Sequence, residues 1–418
     1  MHDKFDNYSS SNLMQMTTED ISVSNGTISA DTLFESVNKL GPYISQFAES
    51  EQVNRKLSTE VFNALRKAGM YKLFTPASLG GIETDPLTVA KLVEKVATFN
   101  TAAAWSMMVA NTGAWFFNHF PSEAVDVVYH DGPDVFLAGA VHPPMRAVPV
   151  KGGFNISGRT PLVSNIHEGE WVFVSALVME NNQPKFNNGI PEVIGVFMNA
   201  GDCNIIDTWH TIGMRATDSN DVEAGNVFVP DYLSFPFDPS FCATGHYSGM
   251  LYKFPAVGIA GPSLIAPVAI AVAANFIKEF KNLAAKKTSF GSVSSLRERG
   301  TVQRKLGMAQ AMVQSSRAYL HHALRESWHK LSNGETLSIE EKGNLLLAGT
   351  HVNQSCFQAV DMLYTAAGTT AIYTSNKLAQ YFTDAQVIRQ HGFANESRYE
   401  TFAQIDLGLP PDLAIVAF

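Results

Sequence analysis

Apolar positions along this chain recur at two different periods, and the switch between them divides it into thirds. Up to about residue 120 the spacing is three or four, the mark of helices with one buried face. Thr32 to Glu49 has this pattern, interrupted near Gly41-Pro42. Ser58 reads as the cap of a helix with Val61, Leu65 and Ala68 on one face and Gly69 as its stop. After the loop FTPASLGGIETD, Asp85 as N-cap and Pro86 in the first turn launch PLTVAKLVEKVATF. A fourth helix, Thr101 to His119, is apolar almost all round, which predicts a buried element. Asn111 lies inside it and must find a partner, either as a satisfied core amide or as a pocket wall facing a ligand.

From roughly 133 to 240 the pattern becomes that of strands: FLAGAV, a Gly152-Gly153 hairpin, WVFVSALV, then VIGVFMN. Two further strands flank a polar turn in NIIDTWHTIGMRATDSNDVEAGNVFVP. PLVSN lies between two of the strands, with Ser164 seven residues before Trp171. Such a loop is either a polar turn between core strands or a platform of backbone N–H groups and one hydroxyl for a flat heteroaromatic ring, with an indole packed on it. Helical spacing then returns over about Pro267 to Lys286, Leu296 to Ser332, Ser338 to Gly368 and Lys377 to His391. Leu306, Ala309, Val313 and Leu320 share a face of the second of these.

Helices, strands, helices, without βαβ alternation, define an α+β protein. The expected division is an N-terminal helical domain at 29–132, a compact β-barrel or sandwich at 133–240 and a C-terminal helical domain at 241–418. Residues 1–28, rich in Ser, Asn, Asp and Thr, read as a disordered leader.

Composition narrows the function classes. The chain has 418 residues, 45% hydrophobic and 17% charged, enough for a large buried core. A net charge of −9 with no basic stripe argues against nucleic acid. Cys203, Cys242 and Cys356 stand too far apart for a disulfide framework or a metal knuckle, which suits a reducing cytoplasm, and no secretory signal is visible. The stretch 254–277 is long enough to span a bilayer, but its prolines, glycines and alanines read better as a loop and an interior helix, so no membrane is expected. His321, His322 and His329 share a helix without convergent acids and predict solvated faces, not a metal site.

Several stretches carry a resemblance. LFTPASLGGIE, TAAAWSMMVAN, GRTPLVSNIHEGEW, WHTIGMRATDSNDVEAGNVFVP and TDAQVIRQH are similar to the acyl-CoA dehydrogenase superfamily, over roughly 30–410. The resemblance implies an N-terminal helical domain and a C-terminal four-helix bundle enclosing a flavin, a central β-barrel domain covering one face of its ring, and a homotetramer. It also implies that the main chain of Leu162, Val163 and Ser164 lies along the ring, with the Ser164 hydroxyl near N5 and Trp171 by the dimethylbenzene edge. Ser289, Phe290, Ala367, Gly368 and Thr369 would approach the phosphate end, from a neighbouring subunit. The family's arginine at Ser289-Phe290 is missing, which leaves FMN and FAD both open. Arg215 either holds its turn together or neutralises flavin phosphate.

Dehydrogenases of the superfamily need a carboxylate base for a thioester α-proton. The matching position here is Gly392, preceded by His391, and the family's alternative location, Gly258–Gly261, offers no acid either. His391 resembles instead the two-component flavin-dependent monooxygenase branch, to which dibenzothiophene monooxygenase and p-hydroxyphenylacetate hydroxylase belong. HPPMRAVPVKGGFNISG and TSFGSVSSLRERGTVQRKLGMAQAMV look like that branch too. There a separate NAD(P)H:flavin reductase supplies reduced flavin, O2 adds at C4a, and the hydroperoxide oxygenates an aromatic, heteroaromatic or amine small molecule.

The expected catalytic set is His391 for proton handling, Ser164 at N5 and Asn111, with Trp105, Met108, Trp115 and Phe116 as apolar walls that exclude water. A helix-end histidine favouring the C-terminal dipole is the plainer reading of His391. Two other readings of the whole chain stand beside the oxygenase: an acyl-CoA dehydrogenase or oxidase with a displaced base, and a flavin-binding protein without catalysis.

Overall fold

A computed structural model describes residues 28–187, 189–236, 245–288 and 290–417, so the expected leader lies almost wholly outside the described residues. Six helices come first: α1 (Ala30–Ser45), α2 (Ala48–Asn54), α3 (Thr59–Lys67), α4 (Pro86–Ala97), α5 (Thr101–Phe116) and α6 (Ser122–Val128). Their starts follow from local chemistry. Ser58 Oγ accepts the Val61 N–H at 3.3 Å, and Asp85 Oδ1 accepts the Thr88 N–H at 2.9 Å. The break expected at Gly41-Pro42 falls later. α1 runs through both residues to Ser45, because Gly41 lets the helix close on Phe99, whose ring a Cβ would strike. α5 is buried along nearly its whole length, and a buried carboxylate helps to seat it. Glu51 Oε1 accepts from the Ser58 N–H and hydroxyl, each at 2.8 Å, while Oε2 accepts from Asn100 Nδ2 at 2.7 Å.

The strands follow: β1 (Leu137–Val150), β2 (Gly153–Val163), β3 (Trp171–Glu180), β4 (Gln183–Pro184), β5 (Phe186–Asn187), β6 (Ile190–Pro191), β7 (Val193–Asn199), β8 (Asn204–Ile206), β9 (Asn220–Pro230) and β10 (Ser234–Pro236). Eight of them form one mixed sheet in the order β10-β7-β3-β1-β2-β9-β8, with β4 paired to β3, and β5 and β6 make a separate ladder. β1 and β3 run parallel; the other ladders are antiparallel. The sheet is open, which corrects the expected barrel. Among the described residues β10 pairs with β7 and β8 with β9, and the two ends do not meet. Each end strand has three residues, and β10 finishes on Pro236, which has no N–H to extend a ladder.

Helices return with α7 (Ala256–Gly258), a π-helical stretch at Ile259–Ile265, α8 (Ala266–Lys286), α9 (Gly300–Ser332), α10 (Ile339–Ala367), α11 (Lys377–Ile388) and α12 (Arg398–Asp406). α10 packs on α8 and α9, α11 on α8, and α12 on α10. The π-helical turn surrounds Pro262, which cannot donate to a helical ladder, and Gly349 on α10 lets that proline approach. Ala256–Lys286 is the one helix among the described residues long and apolar enough to cross a membrane. Its apolar window is wholly buried, packed on α4, α5 and α10 as a core helix is.

Candidate active site

β2 ends in a bulge. Thr160 pairs with Val222 and Val163 with Asn220, so β2 spends one residue more than β9 over this span. The surplus turns Leu162 outward, 57% exposed and at φ 64°, while Val163 points into the core. A branched side chain in the left-handed region is strained, and such outliers gather at functional sites. Ser164 follows, 7% exposed, and then Asn165 at φ 54°.

The Ser164 hydroxyl is held from two sides. Trp105 Nε1–H on α5 donates to it at 3.1 Å, and Ser219 Oγ lies 2.7 Å away. Ser219 Oγ is 2.7 Å from Thr217 Oγ1, which donates to the Met214 carbonyl at 2.9 Å. Alternate residues of the same segment face the other way. Asp218 accepts from Asn220 Nδ2 at 2.7 Å and meets His167 Nδ1 at 2.8 Å.

Trp105 also reaches the far side of the site. Its indole meets the His391 ring edge-on, with 5.7 Å between centroids, and Phe393 lies roughly parallel to that imidazole at 6.0 Å. The Phe393 N–H donates to His391 Nδ1 at 3.3 Å, which leaves the proton of the neutral ring on Nε2. Desolvation pushes the imidazole down to about 4, so it is neutral at pH 7. Gly261 of the π-helical turn lies against Phe393, and neither Gly261 nor Gly392 carries a carboxylate. Asp384 on α11 is fully buried elsewhere. Its Oδ1 accepts the Met214 N–H at 2.6 Å, Oδ2 has no partner among the described residues, and burial pushes the carboxyl up to about 7.

The other expected residues divide. Asn111 belongs to the core and not to a pocket. Its Nδ2 donates to the Met70 and Met107 carbonyls at 2.9 and 2.7 Å, its Oδ1 accepts the Phe74 N–H at 3.0 Å, and the residue is fully buried. Trp115 is likewise engaged inside, its Nε1–H donating to the Leu251 carbonyl at 3.2 Å. Met108 is buried, its sulfur accepting from Thr112 Oγ1 at 3.7 Å. Trp171 is half-buried at the start of β3 and lines a surface groove with Arg66, His130, Glu170 and Asn199.

Ser289 and Cys242 lie outside the described residues, while the Phe290 side chain is fully exposed. Ala367 ends α10, and the corner at Gly368 and Thr369 is held by Lys287 Nζ, which donates to the Ala367 carbonyl at 2.7 Å. Arg215 holds its turn, donating to the Gln52 and Thr211 carbonyls. His321 is pushed down to about 4 by burial and by Lys91, Arg317 and Arg325, and no group of three or more potential metal ligands occurs among the described residues. Ser219, Thr217 and the His167–Asp218 pair escaped sequence reasoning, although the alternation in TDSN was a signal that could have shown them.

A family model for the acyl-CoA dehydrogenase C-terminal domain matches residues 263–396, the segment from the π-helical turn to just past His391. XiaF from Streptomyces sp., solved with FADH2 and glycerol, superposes with a TM-score of 0.84 at 22% identity, covering 92% of this chain and 97% of that one. The chain has the acyl-CoA dehydrogenase fold. Among its curated relatives are proteins named as monooxygenases. The indole-3-acetate monooxygenase of Acinetobacter baumannii is 27% identical over 85% of this chain and 88% of its own length. The flavin-dependent monooxygenase, oxygenase subunit HsaA, of Mycobacterium tuberculosis is 21% identical over 91% and 97%.

Proposed function

We propose that this chain is the oxygenase component of a two-component flavin-dependent monooxygenase, acting on an aromatic, heteroaromatic or amine small molecule with O2 and reduced flavin from a separate NAD(P)H:flavin reductase. One observation carries the reading: a neutral imidazole, His391, and a buried hydroxyl, Ser164, converge on the same indole, Trp105, and the residue after His391 is a glycine and not an acid. The site fits a flavin ring. The strained Leu162 bulge presents backbone outward, and beside Ser164 the buried Asn165 Oδ1 has no partner among the described residues, an acceptor suited to a ring N–H. Relatives named as monooxygenases, one of them an oxygenase subunit, support the reductase partner.

Bound reduced flavin supplies the activation of O2 and the transfer of one oxygen atom. The chain's residues do the rest. Leu162, Val163 and Ser164 line the ring, Trp171 stands at its edge, and Phe290 with Ala367, Gly368 and Thr369 serves the phosphate end of a partner's flavin in a homotetramer. FMN and FAD both suit this arrangement, and the cytoplasm suits free thiols. Trp105, Met108 and Phe393 exclude water. The Nε2–H of His391 donates a hydrogen bond to a substrate or oxygen atom, and its low basicity keeps it from storing a charge in the dry site.

The test supplies the protein with NADH, a generic flavin reductase, FMN or FAD, and indole-3-acetate or a panel of phenols, and looks for a product heavier by one oxygen. His391→Ala lowers product per NADH consumed and leaves flavin binding intact. Anaerobic reduction of bound flavin by an acyl-CoA thioester, without any reductase, would support the dehydrogenase reading and overturn this one.

A further inference from the structure

The four side chains behind the candidate ring position form a line of donors and acceptors whose direction can be counted. Thr217 Oγ1 gives its one proton to the Met214 carbonyl at 2.9 Å, so it can only accept from Ser219 Oγ, 2.7 Å away. Ser219 has then spent its own proton and can only accept from Ser164 Oγ, also at 2.7 Å. Ser164 has likewise spent its proton, and Trp105 Nε1–H donates to it at 3.1 Å. Donation runs Trp105, Ser164, Ser219, Thr217, Met214, and what Ser164 has left to offer is a lone pair. In the opposite order Thr217 donates to Ser219, Ser219 to Ser164, and Ser164 outward. That order makes one hydrogen bond fewer inside the protein, since the Thr217 hydroxyl gives up Met214. All of Ser164, Thr217 and Ser219 are at least nine-tenths buried, so water does not replace the lost bond cheaply.

We infer that Ser219 and Thr217 are positioning residues that hold the Ser164 hydroxyl as an acceptor, and so make the site selective for reduced over oxidised flavin. The inference rests on the flavin reading above and on Ser164 facing N5 of the ring. Reduced flavin carries a hydrogen on N5 and donates; oxidised flavin has only a lone pair there and needs a donor. With the relay intact, the reduced form gains a hydrogen bond, and the oxidised form must either face a lone pair or reverse the relay. The backbone around the turn does not depend on the hydroxyl line: the Met214 carbonyl also accepts from Trp209 Nε1–H and the Thr217 N–H, each at 3.1 Å.

The experiment measures dissociation constants for FMN and FAD, each oxidised in air and reduced anaerobically, and takes the ratio of oxidised to reduced. Ser219→Ala leaves Ser164 free to donate outward, and Thr217→Val leaves Ser219 the Ser164 oxygen at 2.7 Å and the residue-217 carbonyl at 3.5 Å as acceptors, of which the shorter bond turns Ser164 outward. Both variants should lower the ratio about five- to tenfold, the worth of one hydrogen bond, towards the ratio shown by Ser164→Ala, whereas Ser219→Thr should keep the parent value. A ratio unchanged in both variants overturns the inference, and so does parallel weakening of the two redox states, the signature of a merely structural role. If the parent protein binds neither redox state, the flavin reading itself falls and this inference with it.

Discussion

Asp384 ties the two halves of the candidate site together, and its titration gives the sharpest test of the packing. It stands on α11, seven residues before His391, and grips the Met214 N–H at the start of the turn that leads to Thr217 and Ser219. Burial raises its carboxyl from 3.8 in the open chain to about 7. The folded protein therefore keeps a proton that the unfolded chain releases, and ∂ΔG/∂pH is negative between those two values. Stability from this group is complete below pH 3.8 and is lost as pH rises to about 7. At about 1.4 kcal/mol per unit, the loss comes to about 4 kcal/mol.

Asp384→Asn keeps the Oδ1 acceptor and never ionises, so it removes the slope while preserving the grip. Urea unfolding followed by tryptophan fluorescence at intervals from pH 4.5 to 8 should show parent and variant similar at the acid end. The variant should then gain steadily, to a few kcal/mol by pH 8. His391, depressed to about 4, contributes the opposite slope between that value and 6.5, but it does so in both proteins and cancels in the difference. A difference that stays constant with pH, or that shrinks above neutrality, refutes the account of Asp384 as a buried acid.

Three further outcomes follow from the same geometry. Because desolvation holds His391 neutral down to about 4, the yield of oxygenated product per NADH should show no His391-dependent step between pH 7 and 5; a loss centred near 6.5 that disappears in His391→Gln would contradict the desolvated, neutral ring. Asn111→Ala strands the Met70 carbonyl and the Phe74 N–H and should cost about 2 kcal/mol or more in urea unfolding; a cost under about 1 kcal/mol would return Asn111 to the pocket wall. A Cβ at Gly213 would strike the Thr383 backbone, whereas one at Gly392 meets open space, so Gly213→Ala should lower the melting temperature by several degrees and Gly392→Ala should leave it nearly unchanged. Equal effects would show that the turn and α11 are not in close contact.

Much of the helical framework was legible in the chain itself. Ser58 and Asp85 cap the helices they were expected to cap, because a side-chain oxygen reaching an N–H three residues on is a local event. The buried reading of 254–277 also held, since prolines and alanines mark close helix packing. The sheet was harder. Alternation identifies strands but not whether their ends meet, and here short terminal strands leave the sheet open. Asn111 could not be resolved from sequence, because a core amide and a pocket amide are the same residue until their partners are seen.

The amino-acid sequence by itself showed most of the helical and extended segments, and it showed an imidazole at position 391 followed by a glycine and not a carboxylate. Those properties depend on residues within a few positions of one another, or on identity at one position. Only the tertiary structure decided that Trp105 touches both Ser164 and His391, and that Ser219 and Thr217 stand behind Ser164. It also decided that Asp384 grips Met214 from 170 residues away. Direction in a hydrogen-bonded line, desolvation of a ring and the fit of a turn against a helix arise when distant parts of the chain come within a few ångströms, and no local pattern encodes that distance.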